Sequence, residues 1–201
     1  MGRKNKRWKD HFTERAQSAG YGARSVYKLE EIQRRARVIR RGKPALDLGC
    51  APGSWTKYLF EQGARPVVGV DLQSVDPLMG CTFVQADAFT TDPQDLLDLL
   101  GAPAGLVVSD MAPATTGARG ADAARQIALA DHAFELALKV LAPQGNFVVK
   151  VFDGADAPDF VKRVRTYFDA VRRIRPEATR KASREFFLVA SGFKGAPTDT
   201  D

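Results

Sequence analysis

The chain has 201 residues, a formal net charge of +6 and 44% hydrophobic residues, which suits one folded domain with a small extension. Its only cysteines, Cys50 and Cys81, argue against a disulfide framework or a thiolate metal site, and His11 and His132 are too isolated to build one, so no metal is expected. There is no leading apolar segment and no run of 18 apolar residues, so a soluble, cytoplasmic protein without a membrane partner is expected.

The positive charge is clustered. Arg3, Lys4, Lys6, Arg7 and Lys9 form one group, and Arg34, Arg35, Arg37, Arg40, Arg41 and Lys43 a second. Residues 162–184 hold nine Lys or Arg against Asp169 and Glu177. Such clusters point to a polyanionic partner, with a basic solvated surface as the plainer reading.

Residues 1–20 are polar and basic and are expected to form a loosely held arm; 21–193 form the domain and 194–201 a tail. A first helix is expected from Ser25 to Arg37, with Val26, Leu29, Ile32 and Ala36 on one side and Arg24, Lys28 and Arg35 on another. The apolar side should dock and the basic side should face a substrate. Strand 1, at 44–48, runs into a glycine turn, and a helix starts at Ser54. Strand 2 spans 66–70 and ends at Asp71; strand 3 spans 81–84 and is followed by Asp87. A helix near 92–99 leads to strand 4, Gly105–Asp110, and residues 112–122 are expected as a loop over the site. Ala123–Leu141 is a long helix with Ile127, Ala130, Phe134, Leu138 and Leu141 at core spacing. Strand 5 is 145–151, a further helix spans Asp156–Phe168, and strands near 170–174 and 186–191 finish the sheet.

Val- and Leu-rich strands alternating with helices predict an α/β fold, a parallel, doubly wound sheet covered on both faces. Ligands bind beyond the carboxyl ends of the strands in that architecture. Asp47, Asp71, Asp87, Asp110 and Lys150 all fall at or just after expected strand ends, so they are expected to share one site.

The turn Gly49-Cys50-Ala51-Pro52-Gly53 places Ala51 where a dinucleotide fingerprint needs its second glycine, which argues against NAD. Main-chain N–H groups and a helix N-terminus at such a turn suit another nucleoside cofactor. With Val67-Val68-Gly69-Val70-Asp71, the turn describes the cofactor half of an α/β methyltransferase. Asp71 suits two ribose hydroxyls, and Asp87 suits an adenine amino group. Asp110 stands where the methyl donor reaches the acceptor. Trp55 either contacts the cofactor or serves as a core aromatic.

Neither cysteine is expected near the acceptor, which argues against covalent activation of a cytosine ring. Ser109-Asp110-Met111-Ala112-Pro113 lacks the Pro-Pro-aromatic turn of exocyclic-amine methyltransferases. A ribose hydroxyl remains, and it must lose a proton as it attacks. Lys150, between Val149 and Val151, offers an amine that either takes this proton or orients the hydroxyl. An ordinary lysine with a pKa of about 10.4 is protonated near neutrality; desolvation or a nearby cation such as Lys28 would lower that value, whereas carboxylates would raise it. Asp110 and Glu185 are expected to orient the two lysines.

Five blocks carry a resemblance: Arg24-Ser25-Val26-Tyr27-Lys28-Leu29-Glu30-Glu31-Ile32, Asp47 through Trp55, Ser109 through Pro113, Val148-Val149-Lys150-Val151-Phe152, and Ser183-Arg184-Glu185. In these the chain, over about residues 7–193, resembles the FtsJ/RrmJ family of RNA ribose 2′-O-methyltransferases. The resemblance implies a Rossmann-like methyltransferase fold with a mostly parallel seven-stranded sheet and helices on both faces. It implies a catalytic tetrad at Lys28, Asp110, Lys150 and Glu185, with Lys150 as proton acceptor. It also implies S-adenosyl-L-methionine as cofactor, held by Gly53, Trp55, Asp71, Asp87 and Asp110 and leaving as S-adenosyl-L-homocysteine.

The implied substrate is a uridine in the A-loop of large-subunit (23S) ribosomal RNA, methylated in the assembled or late-assembly 50S subunit by a monomer with no obligatory protein partner. Relatives acting on transfer RNA share the tetrad and form the second reading. A non-enzymatic RNA-binding assembly factor would be favoured by a broken tetrad, and this tetrad is intact. Cys50, Ser54 and Ala114 depart from what many relatives carry, and they touch the cofactor turn and the loop over the acceptor.

Overall fold

Apolar strand runs that end in Gly, Asp or Pro set the frame of the molecule. The computed structural model describes residues 11–114, 116–180 and 183–195. The basic residues Arg3, Lys4, Lys6, Arg7 and Lys9 and all but the start of the expected tail lie outside the described residues. In chain order the elements are α1 (His11–Ser18), α2 (Val26–Ala36), β1 (Ala45–Leu48), α3 (Ser54–Glu61), β2 (Val67–Asp71), β3 (Cys81–Gln85) and α4 (Pro93–Leu100). Then follow β4 (Ala104–Ser109), α5 (Arg119–Val140), β5 (Leu141–Phe152), α6 (Ala157–Tyr167), β6 (Phe168–Ile174) and β7 (Glu185–Phe193).

The strands form one seven-stranded sheet in the order β3-β2-β1-β4-β5-β7-β6. Strands β1 to β5 pair in parallel, while β7 is antiparallel to both β5 and β6. Strand alternation sends Leu46, Val107, Val149, Val151 and Leu188 to one face, under Leu96 of α4, Phe134 of α5 and Phe160 of α6. Val67, Val108, Val148, Phe187 and Val189 go to the other, under Leu29 and Ile32 of α2 and Leu59 of α3.

Local chemistry sets several boundaries. Asp92 caps α4 by accepting the Gln94 N–H at 2.9 Å, Pro93 supplies the first helical residue, and Gly101 ends the helix at φ +66°. The turn after β1 needs positive φ at Gly49 (+79°) and Gly53 (+91°), where a Cβ would meet Met111 Cγ at 2.6 Å and Val75 Cγ1 at 3.0 Å.

Four expectations need correction. The segment 11–18 is a helix, not a loose arm: Ala16 is buried, Phe12 packs on the Tyr27 ring at 5.8 Å and Arg15 lies over that ring at 4.4 Å. The loop after β4 ends sooner, because α5 begins at Arg119 and takes in Asp122. Asp47 lies inside β1 and is buried, with its Oδ2 accepting the Thr56 hydroxyl at 2.7 Å, so it does not stand at the strand end. Lys28 is not on a free basic face, since its amine is buried under α2.

Candidate active site

Sheet register builds the site. The last common row of the parallel strands is Val70, Leu48, Ser109 and Val149. The next residue on each strand is Asp71, Gly49, Asp110 and Lys150, so these four share one edge of the sheet. A cavity of 360 Å³ opens there, and Gly49, Asp71, Asp87, Asp110 and Met111 line it. Its apolar wall includes Val70, Ala86 and Ala88. Leu72 and Phe89 also line it and are 67% and 48% exposed, unusual for large apolar side chains.

Each acid in this cavity is oriented by the backbone. Asp71 accepts the Ala51 N–H through Oδ2 and the Gln73 N–H through Oδ1, both at 2.9 Å. Asp87 Oδ1 accepts the Phe89 N–H at 2.9 Å. A carboxylate has about four acceptor positions, so both keep capacity for a ligand's hydroxyl or amino groups. His132 donates from Nε2 to the Ala88 carbonyl at 2.6 Å and stacks on Phe89 at 4.0 Å, a supporting role for the cavity wall.

Two ion pairs stand beside Asp110. Lys150 Nζ donates to Asp110 Oδ1 at 2.9 Å and to the Asp110 carbonyl at 2.6 Å. Lys28 Nζ pairs with Glu185 Oε1 at 2.5 Å. Register brings the pairs together. Lys150 lies opposite Phe187 and Glu185 opposite Phe152, so Lys150 and Glu185 are diagonal neighbours on one face. Helix α2 covers that face and lowers Lys28 onto Glu185, above the Phe187 ring. Burial alone would raise the Glu185 carboxyl. The Lys28 charge and hydrogen bond, then the Lys150 charge, outweigh it and hold the carboxyl below its ordinary range.

The Lys28–Glu185 pair also lines a second cavity of 450 Å³ with Arg24, Arg180 and Ser183. Burial and the neighbouring Arg180 charge depress the Arg24 guanidinium, with Glu185 opposing. Two like charges facing one cavity favour an anion there. A larger groove of 830 Å³, lined by Phe12, Tyr27, Arg34 and Tyr58, holds none of the four tetrad residues.

The structure therefore brings together Lys28, Asp110, Lys150 and Glu185, and sets Asp71 and Asp87 in the cavity that Asp110 closes. Trp55 and Gly53 lie outside its wall. The Trp55 indole N–H donates to the Ser25 carbonyl at 2.8 Å and the ring packs 5.6 Å from Phe187, joining α3 to α2 and the sheet. Gly53 starts α3 and faces Val75. Cys50 is buried, and burial pushes its thiol far above the ordinary range. Among the described residues no cluster of His, Cys, Asp or Glu could hold a metal ion.

Two residues of the site escaped sequence reasoning. Asp122 accepts the Thr116 and Gly117 N–H groups at 2.9 and 3.1 Å and is held at about 2, chiefly by the Thr116 N–H against its burial. Gln126 Nε2 donates to the Met111 and Lys150 carbonyls at 3.2 and 2.9 Å. The available signal was a Gln four residues before Ala130 and eight before Phe134, on the core stripe of α5.

The model of the FtsJ-like methyltransferase family matches residues 21–193. A ribosomal RNA large subunit methyltransferase E from Desulfatibacillum aliphaticivorans is 45% identical over 94% of this chain and 92% of its own length. One of the same description from Caulobacter vibrioides is 41% identical over 92% of this chain and 83% of its own. A solved structure described as a ribosomal RNA methyltransferase from Plasmodium falciparum superposes with a TM-score of 0.80 at 23% identity, over 88% of this chain and 100% of that one. That structural likeness bears on the fold.

Proposed function

The chain belongs to the FtsJ-like methyltransferase family and is a methyltransferase, and on that premise we propose that it methylates the ribose 2′-hydroxyl of a uridine in the A-loop of large-subunit (23S) ribosomal RNA. The substrate is the assembled or late-assembly 50S subunit, and S-adenosyl-L-methionine is the methyl donor. The observation that carries the reading is the Lys150–Asp110 pair at the mouth of the 360 Å³ cavity, with the Lys28–Glu185 pair beside it. Relatives described as ribosomal RNA large subunit methyltransferase E support the choice of RNA.

The cavity suits the donor. Its size falls in the range of small-molecule sites, about 300–1,000 Å³. Asp71 keeps acceptor positions for ribose hydroxyls and Asp87 for an amino group, while Leu72 and Phe89 offer apolar surface to a base. The bound donor supplies an electrophilic methyl group. The protein's own residues manage the acceptor.

A ribose hydroxyl becomes a competent nucleophile only as its proton leaves. Lys150 Nζ takes that proton, and Asp110 fixes the amine through its carboxylate and its carbonyl. Lys28 places a positive charge next to this group and Glu185 keeps Lys28 in place. Arg24 and Arg180 face the acceptor side and suit the backbone phosphates that position a nucleotide. The reaction proceeds in the cytoplasm on a monomer without an obligatory protein partner. No helix among the described residues is long and apolar enough to cross a membrane.

Labelled S-adenosyl-L-methionine and large subunits from an unmethylated strain test the reading. The RNA is digested and the label mapped by mass spectrometry, with alkaline cleavage in parallel. A methylated 2′-oxygen cannot attack its neighbouring phosphate, so the ladder should show one gap at an A-loop uridine. Label on a base with an unbroken ladder refutes the ribose assignment. A gap in transfer RNA alone keeps the chemistry and overturns the substrate.

A further inference from the structure

We propose that Gln126 is a positioning residue for methyl transfer, clamping the main chain on both sides of the Lys150–Asp110 pair. The inference rests on reading Lys150 and Asp110 as the groups that handle the acceptor proton. Gln126 is 1% exposed. Both groups that its amide meets are main-chain carbonyls, those of Met111 at 3.2 Å and Lys150 at 2.9 Å. Two acceptors demand a donor, so the nitrogen end faces them. The other end pays for this: Oε1 is buried with no hydrogen-bond partner. A Leu or Met would fill the same volume in α5 and strand no side-chain oxygen, at the cost of the two bonds to the carbonyls. Gln126 therefore has a use for its donor that outweighs a stranded oxygen.

That use lies where the sheet ends. Strands β4 and β5 pair last at Ser109↔Val149, after which the ladder supplies no rung between them. Asp110 and Lys150 are the next residues on the two strands. The Gln126 amide spans this gap and joins residue 111 to residue 150. It does so from the α5 face, whereas the Lys150 side chain rises on the opposite face with Phe187 and Lys28. Gln126 thus touches no reacting atom, yet it sets the backbone that aims two of them. Four residues earlier on the same helix face, Asp122 grips Thr116 and Gly117, so α5 holds both ends of the connection after β4.

The test compares the full-length protein with Q126M and Q126E. Q126M keeps the length and removes both hydrogen bonds. Its kcat on unmethylated large subunits should fall about tenfold to a hundredfold, as small misplacements of catalytic groups do. KM for subunits and the Kd for S-adenosyl-L-methionine should stay within about threefold, because ground-state binding is untouched. Q126E supplies the sharper readout. Lys150 is faced by Asp110 from β4, Glu185 from β7 and Lys28 from α2, and these groups are common to both proteins, so the ratio of the Q126E rate to the wild-type rate isolates the new carboxyl. In Q126E the carboxyl can donate only while protonated. Once ionised it repels both carbonyls, so its rate relative to wild type should fall as pH rises.

A second measurement needs no RNA. The lysines are reductively methylated with 13C-formaldehyde, and the Lys150 resonance is identified by its loss in K150M. Q126M should displace that resonance. An unmoved Lys150 resonance with wild-type kcat overturns the inference. If wild type fails to methylate subunits, the proposed function fails, and the Lys150 resonance still decides the role of Gln126. Should Q126M not fold, the rate of Q126E relative to wild type against pH, and its Lys150 resonance, decide instead.

Discussion

Replacing Asp47 with Asn should make the stability of this protein less dependent on pH. The residue lies within β1 with 1% of its surface exposed; Oδ2 accepts the Thr56 hydroxyl and Oδ1 is buried without a partner. Burial pushes the carboxyl from 3.8 up to about 7, against the Thr56 hydrogen bond, with the charges of Asp110 and Asp71 adding to the rise. Between these values the folded state binds the proton more tightly than the unfolded chain. Stability therefore falls as pH rises through this window. A shift of about 3 units at about 1.4 kcal/mol each means about 4 kcal/mol lost by pH 8. D47N keeps an acceptor for Thr56 and carries no charge. Near pH 4 the protonated acid leaves one donor unpaired and the amide two, so the variant should be no more stable than wild type. At pH 8 it should be more stable by up to about 4 kcal/mol. Urea unfolding of both proteins at the two pH values gives the comparison, and the difference cancels the titrating groups that do not interact with Asp47. An equal stability difference at pH 4 and pH 8 would refute the reasoning.

Lys150→Met should lower methyl transfer about 10²- to 10⁴-fold, the usual contribution of a proton-transfer group, while cofactor affinity measured by calorimetry stays near wild type. Near-normal single-turnover rates would remove Lys150 from the chemistry. Asp71→Ala should weaken S-adenosyl-L-methionine binding about tenfold to a hundredfold, because hydrogen bonds to a charged group are worth about 1.5–3 kcal/mol and the Ala51 and Gln73 N–H groups also lose their partner. Unchanged affinity in a titration places the cofactor elsewhere. Neutralising the exposed Arg34 and Arg35 together should weaken subunit binding and flatten its dependence on salt, since each phosphate contact releases counterions. An unaltered slope of log affinity against log salt means that this face of α2 does not meet RNA.

The parallel half of the sheet was legible because each strand is a short apolar run closed by a residue that cannot continue it. Gly49, Asp71 and Asp110 mark those ends, and the periodic stripe Ala130, Phe134, Leu138 marks α5. Helix α1 was not legible. It has 8 residues, and among its described side chains only Ala16 is buried, so its stability comes from packing on Tyr27 and not from its own pattern. Asp47 misled for a related reason. An acid next to a glycine turn suggests a strand end, and only the parallel neighbours on both sides reveal that it is enclosed. The burial of Lys28 was equally hidden, because a basic side chain on a helix next to Arg24 looks solvated until Glu185 is placed beneath it. Gln126 could not be assigned because its partners are main-chain carbonyls, which no side-chain pattern records.

The direction of β7 explains how the second ion pair reaches the first. In a wholly parallel sheet, only residues at the carboxyl ends of strands meet the ligand edge. Glu185 is the first residue of β7, and it would lie at the far edge if β7 ran with β5. Because β7 is antiparallel, its start lies opposite Phe152, at the end of β5. Glu185 then stands diagonal to Lys150 on the face that α2 covers, and Lys28 in the first turn of α2 completes the set. Each lysine has its own carboxylate, so both side-chain nitrogens are held in place. The 360 Å³ cavity proposed for the donor thus lies at the ends of β1, β2 and β4, and the residues proposed to handle the acceptor lie on β5, β7 and α2. Asp110 is the residue common to both, through its place in the cavity wall and its hold on Lys150.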